Sequence, residues 1–132
     1  MKSRDIEAVL EIEQESALSP WSQSQFRAEL SNSFSQSLVI ILGKKIVAFA
    51  IIWRAADEIQ IANLAISPLF RRQGIATFLL RAIFNDARKS GFTVAHLEVR
   101  KSNSSAIALY RKVGFKINGV RSNYYTSPKE DA

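Results

Sequence analysis

Arg71-Arg72-Gln73-Gly74-Ile75-Ala76 joins an apolar stretch, Glu58 to Ile66, to a run in which Ile75, Leu79, Ala82 and Ile83 recur at helical spacing. The stretch before it has the length of a strand and ends at Ser67-Pro68. The run after it is closed by Gly91, a residue type suited to the left-handed position at a helix end. A second apolar run, Val94 to Val99, follows, so strand, basic turn, helix and strand succeed one another. A crossover of this kind places the two strands in parallel and is right-handed. The turn itself reads in two ways. The first amides of a helix lack intrahelical acceptors and carry the positive end of the dipole, so an anion can dock there. Gly74 lets the backbone come close, Ala76 keeps the helix shoulder low, and Arg71 and Arg72 add charge that does not titrate. The same residues also suit an ordinary solvated helix start.

Upstream, Leu38 to Leu42 and Lys45 to Trp53 flank Gly43-Lys44 and read as a β-hairpin. Ile46 to Ile52 does not alternate, as expected of a strand covered on both faces. Two helices precede the hairpin. Ile6, Val9, Leu10 and Ala17 mark one from about Asp5, and Ser22 with Gln25 has the form of a capping box for the next, which carries Phe26 and Leu30. The polar stretch Ser31 to Ser37 reads as a loop. Downstream, Asn103 to Lys112 reads as a helix stopped by Gly114, Phe115 to Val120 as a last strand, and Asn123-Tyr124-Tyr125 lies just beyond. The expected fold is α/β (α+β), a single domain over residues 1–132, with antiparallel strands first, a parallel pair at a central splay, and helices on both faces.

Composition narrows the function classes. With 132 residues, 47% hydrophobic and 23% charged, the chain has the balance of one globular domain. Its longest apolar run, Ile46 to Trp53, is far short of the ~20 residues of a membrane span, and Met1 to Asp5 lacks a signal-peptide core, so the cytoplasm is the expected compartment. There are no cysteines, which excludes disulfides, thiolate metal sites and a cysteine acyl-enzyme. The single histidine, His96, has no partner at metal spacing and reads as structural; no metal is expected. A net charge of +6 favours anionic partners, a phosphorylated cofactor, nucleic acid or a ribonucleoprotein surface among them.

Two side chains carry chemistry. Glu98 interrupts the apolar run Val94 to Val99, on the face opposite Leu97 and Val99 by alternation. It either pairs with Arg100 or serves as a general base, since partial burial moves a carboxylate towards neutrality. Tyr110 shares a helical face with Asn103 and Ala106, as a core residue or as part of a site. The carboxyl ends of splayed parallel strands favour ligands, and the strand end near Ile66, the basic turn, Glu98 and this helix converge there in the expected topology.

As an ordered set these residues resemble the GNAT superfamily of acyl-CoA-dependent N-acetyltransferases. The basic turn is similar to its Gln/Arg-x-x-Gly-x-Gly/Ala loop. Leu97-Glu98-Val99-Arg100, then Asn103, Ala106, Leu109-Tyr110, Gly114-Phe115 and Arg121, Asn123, Tyr124 and Tyr125 resemble its RimI type, which acetylates the N-terminal alanine of a small-subunit ribosomal protein. Pro20-Trp21-Ser22 resembles the early substrate-side loop of that type. The resemblance implies acetyl-CoA as cofactor, with its pyrophosphate on Arg71, Arg72, Gln73, Gly74, Ile75 and Ala76. It implies the pantetheine arm along Leu64, Ala65 and Ile66, and Asn103, with Ala106 beside it on the helix face, near the cofactor.

It further implies Glu98 as the base, through water, and Tyr110 as the acid for the departing thiolate. Trp21, Tyr124 and Tyr125 would border the acceptor groove, or else pack as core and rim. The implied acceptor is a protein N-terminus, with a ribosomal protein foremost and neither nucleic acid nor membrane required. A lysine or small-amine acetyltransferase, or a non-catalytic acyl-CoA-binding or ribosome-associated module, would share the cofactor residues. The family's closing strand would follow Ala132. The resemblance therefore implies a sheet with its final strand missing, by truncation or with a neighbouring chain supplying the pairing and forming a homo-oligomer.

Overall fold

Val47 to Ile52 form the most deeply buried segment of the molecule, and their alternation divides the core in two. They belong to β2 (Lys45–Ala55), which lies between β1 (Ser35–Leu42) and β3 (Glu58–Ile66), antiparallel to both. Phe49 and Ile51 point to one face, where Ile6, Val9 and Ile12 of α1 (Ile6–Ser16) and Phe26 of α2 (Gln23–Ser31) cover them. Ala48, Ala50 and Ile52 point to the other, against Leu79 and Ile83 of α3 (Ile75–Lys89). A strand buried on both faces has no polar face to show, hence the unbroken apolar run.

This computed structural model describes every residue except Arg72, Asn118 and Ser127. It forms two compact units, Met1–Leu97 and Glu98–Ala132. In the first, β4 (Val94–Leu97) completes a four-stranded sheet by pairing in parallel with β3, and helices cover both faces. Gly43 turns the β1–β2 hairpin at φ +63°. Gly91 closes α3 at φ +89°, with the Phe92 amide donating to the Ala87 carbonyl at 3.0 Å. The Ser22 and Gln25 capping box forms in both directions: the Gln25 amide donates to Ser22 Oγ at 3.2 Å, and the Ser22 amide to Gln25 Oε1 at 2.7 Å. Two bulges adjust the sheet. Val47 is extra opposite β1, and Ala62 is extra opposite β2, so that Asn63 is level with Ile51 and Ile61 with Ile52.

Several boundaries differ from the sequence expectation. Ser35 to Ser37, expected in a loop, extend β1 because Trp53, Ile52 and Ile51 across the ladder take up their backbone groups. β4 stops at Leu97, and Glu98, Val99 and Arg100 follow it outside any strand. The described residues of Phe115 to Val120, expected as a strand, form none. The Phe115 amide is spent on the Tyr110 carbonyl at 2.9 Å, closing α4 (Ser104–Lys112), and no described strand lies in ladder register with the run. Pairing in the second unit occurs later, between β5 (Tyr125–Thr126) and β6 (Lys129–Glu130) and in the exchange of two backbone hydrogen bonds between Arg121 and Ala132.

Two substitutions test this account. Phe49→Ala removes a fully buried ring set edge-on to Phe26 at a centroid distance of 5.5 Å. It should cost about 3–5 kcal/mol in urea unfolding. Asn103 caps α4, its Oδ1 accepting from the Ala106 amide at 3.2 Å. Asn103→Ala should lose about 0.5–2 kcal/mol, read as reduced hydrogen-exchange protection confined to α4.

Candidate active site

The parallel ladder of β3 and β4 pairs Glu58 with Val94 through to Ile61 with Leu97 and stops, although β3 continues to Ile66. Beyond Ile61, β3 is paired only with β2 among the described residues. Which groups face the unpaired side follows from one bond. The Ser67 amide donates to the Val47 carbonyl of β2 at 2.7 Å, so by alternation Ala65 also points its backbone groups towards β2. Leu64 and Ile66 then point their N–H and C=O groups away from it. Three of the expected residues, Leu64, Ala65 and Ile66, thus form a strand end with two residues presenting open backbone groups.

From Ile66 the chain turns through Ser67 and a short 3-10 turn, Pro68–Phe70, into the basic turn. Gly74 is the N-cap of α3 at φ +75° and ψ 8°, a conformation that favours glycine. A Cβ there would meet nothing within 4 Å, so the glycine answers to backbone conformation, and the space in front of it is open. Glycine provides no capping side chain, which leaves the first-turn amides of α3 to an outside acceptor. Arg71 and Gln73 are exposed beside it, whereas Ile75 and Ala76 pack into the core on the α3 face. Arg71 also donates from Nη2 to Ser16 Oγ at 3.1 Å, tying the turn to the end of α1. Arg72 lies outside the described residues. An uncapped helix start with open space and an arginine beside it fits a pyrophosphate, and an open strand end fits an amide-bearing arm.

Trp21, also in the first unit, stacks on Trp53 at a centroid distance of 6.4 Å and packs against Phe26 at 5.4 Å. His96 meets Glu58 at 3.4 Å across the parallel pair, both half-exposed. Among the described residues no cluster of His, Asp or Glu could hold a metal, and no helix is long and apolar enough to cross a membrane.

The second unit gathers Glu98, Tyr124 and Tyr125 around two arginines. Glu98 does not take its direction from strand alternation, because β4 has ended. Its Oε1 accepts from Arg121 Nη1 at 2.6 Å, a guanidinium 23 positions further along the chain. Arg100 Nη1 donates to the Pro128 carbonyl at 2.8 Å and lies 3.4 Å from Glu130 Oε1. The other oxygen of Glu98, Oε2, is buried and accepts no hydrogen bond among the described residues. The Tyr124 phenol is directed at the same carboxylate as a donor. That interaction, followed by partial burial and the negative charge, holds its phenol above the usual range.

The arginines stack on the tyrosines, Arg121 over Tyr124 at 5.1 Å and Arg100 over Tyr125 at 4.3 Å, while the two rings meet edge-on at 5.1 Å. Hydrogen bonds from Ser102, reinforced by Arg100, keep Glu130 below the ordinary carboxylate range. On α4, Asn103 caps the helix and Ala106 supplies the capped amide. Tyr110, edge-on to Phe115 at 5.9 Å, is pushed above its ordinary value of 10.0 by burial, so its phenol keeps its proton throughout the neutral range.

Arg121 belongs to a motif visible in the sequence but was assigned no role there, since nothing local links it to a residue 23 positions earlier. Glu13 and Asn63 also went unremarked. The signal for Glu13 was present, because it follows Val9 by four residues on the apolar face of α1.

Comparison with known proteins gives the family. The Acetyltransferase (GNAT) family matches residues 6–115. The [ribosomal protein bS18]-alanine N-acetyltransferase of Escherichia coli strain K12 is 36% identical over 134 aligned positions, covering 100% of this chain and 90% of the relative. The protein of that name from Haemophilus ducreyi is 39% identical over 127 positions, 95% of this chain and 86% of the relative. Among solved structures, the ribosomal-protein-S18-alanine N-acetyltransferase from Escherichia coli matches with a TM-score of 0.91 at 34% identity, over 99% of this chain and 85% of that one. With a family match across most of its length and relatives this similar, the chain belongs to the GNAT family and is an acetyl-CoA-dependent N-acetyltransferase.

Proposed function

We propose that the chain acts in the cytoplasm as one catalytic domain that acetylates the N-terminal α-amine of a protein, with the N-terminal alanine of a small-subunit ribosomal protein as the foremost acceptor. The relatives named for that reaction support the acceptor class. The observation that carries the catalytic assignment is the divided state of Glu98: one oxygen is held by Arg121, and the other is buried and accepts no hydrogen bond among the described residues. A carboxylate oriented at one oxygen and free at the other is placed to take a proton.

When bound, acetyl-CoA supplies a thioester whose carbonyl carbon the amine nitrogen attacks, forming the C–N bond and breaking the C–S bond. Glu98 receives the proton lost by the amine, through water. Tyr110, kept protonated by burial, gives its proton to the departing sulfur. The outward amide of Leu64 or Ile66 would donate to the thioester carbonyl oxygen as charge develops there. Arg71 to Ala76, Arg72 included, would hold the pyrophosphate, Leu64 to Ile66 the pantetheine arm, and Asn103 with Ala106 would bind near the cofactor. Trp21, Tyr124 and Tyr125 border the acceptor. An α-amine suits so modest a base: it titrates near ~8 and a lysine near ~10.4, so much more of it is neutral at pH 7. With no cysteine in the chain, direct attack requires no acyl-enzyme.

Peptides with free and blocked N-termini, incubated with acetyl-CoA and read by mass spectrometry, test the acceptor. Acetylation of the free α-amine alone is expected, and transfer to a lysine of the blocked peptide would replace this reading with a lysine acetyltransferase. Glu98→Gln should lower kcat by about 10²–10⁴-fold with the acetyl-CoA KM little changed. Tyr110→Phe should slow the chemical step at saturating substrate. Because the Tyr110 phenol is raised, any alkaline loss of wild-type activity due to its deprotonation should fall above pH 10.0. Full activity of the phenylalanine variant would remove Tyr110 from the mechanism.

A further inference from the structure

Glu13 occupies a position on α1 where the helix pattern calls for an apolar side chain, and it is 2% exposed. A buried carboxylate is costly unless its oxygens are used. Oε2 of Glu13 accepts two hydrogen bonds, from the Trp21 amide at 3.0 Å and from Asn63 Nδ2 at 2.7 Å. Burial raises its titration and these two bonds pull it back.

The partners give the carboxylate its meaning. Trp21 lies in the loop between α1 and α2. The backbone carbonyl of Glu13 also accepts from the Ala17 amide at 2.9 Å, so one residue holds both ends of the Leu18-Ser19-Pro20 segment. Leu18, Ser19 and Pro20 are exposed, and the loop has little burial of its own to fix it. Asn63 lies on β3, one residue beyond the bulge at Ala62 and one before Leu64, where the open backbone groups begin. A single oxygen therefore joins the loop on the acceptor side to the strand on the donor side.

We infer that Glu13 is a positioning residue for the acceptor, fixing the backbone of the Trp21 loop against β3 and thereby the width of the groove the amine enters. This rests on the proposed roles of Trp21 and of Leu64 to Ile66. It predicts a division between substrates: the tie bears on acceptor binding, and the uncapped helix start that fits acetyl-CoA is built without it.

The experiment compares Glu13→Ala with Glu13→Gln, whose amide oxygen can still accept from both partners. Glu13→Ala should raise the acceptor-peptide KM about tenfold, the scale of a lost hydrogen bond to a charged group, with kcat and the acetyl-CoA KM within about twofold. Its Trp21 amide should exchange at least about tenfold faster, with the amides of Phe49 and Ile51 unchanged. Glu13→Gln should recover most of both effects. If Glu13→Ala does not fold, Asn63→Ala removes one of the two bonds and should give a smaller rise in peptide KM with the same division.

A parallel fall in kcat and rise in both KM values would overturn the inference, as would faster Trp21 exchange without a change in peptide KM, or a glutamine variant as impaired as the alanine. The exchange measurement uses no acceptor, and wild-type selectivity between free and blocked peptides judges the proposed function separately. If the wild type prefers another amine, Glu13 is judged on the KM for that amine.

Discussion

The end of the parallel ladder at Ile61 and Leu97 is the constraint on which the rest depends. Backbone groups withdrawn from water need partners, and a sheet ordinarily supplies them on both sides of an inner strand. β3 outlasts β4 and, among the described residues, keeps a full partner only in β2. It can do so because β2 is buried on both faces and anchors it through Asn63 to Ile66. The same ending frees Glu98 from the strand, so that a side chain across the second unit, Arg121, sets its orientation. One interruption in hydrogen bonding thus leaves a backbone edge without a strand partner among the described residues and releases a carboxylate from the sheet.

Glu13 and Glu98 solve burial in opposite ways. Glu13 is surrounded and shares one oxygen between an amide and a side-chain amide, without a described cation beside it. Glu98 has a guanidinium at 2.6 Å on one oxygen and, among the described residues, no hydrogen bond on the other. The first arrangement is satisfied and rigid. The second retains an unfilled acceptor, which a folded chain tolerates where chemistry requires it and otherwise removes.

Local rules were legible from the residues themselves. Ser22 with Gln25, Gly43, Gly91 and the unbroken apolar run of β2 each follow from capping, turn geometry or burial within a few residues, and each is found in the structure. Gly74 was legible as the start of α3, although its φ of +75° accounts for it better than close approach does. What depended on distant partners was not. Phe115 to Val120 has the composition of a strand, but composition supplies no neighbouring edge, and only a ladder makes a strand. Arg121 lies 23 positions from Glu98 in sequence, and the fold brings it to the carboxylate. The tight turn after β2 places Ala56 at φ +53°, where glycine or asparagine would have announced it. The roles proposed for Trp21, Tyr124 and Tyr125 rest on resemblance to the family.

The two-faced burial of β2 also affects how the sequence can vary. Phe49 and Ala50 are adjacent in the chain but lie in separate cores, one with Phe26 and α1, the other with Leu79 and Ile83. Changes at Phe49 and Phe26, whose rings touch, share a cavity and must compensate one another. Changes at Phe49 and Ala50 draw on different neighbours. Covariation along β2 should therefore skip every second residue, making separation in sequence a poor guide to which substitutions depend on each other.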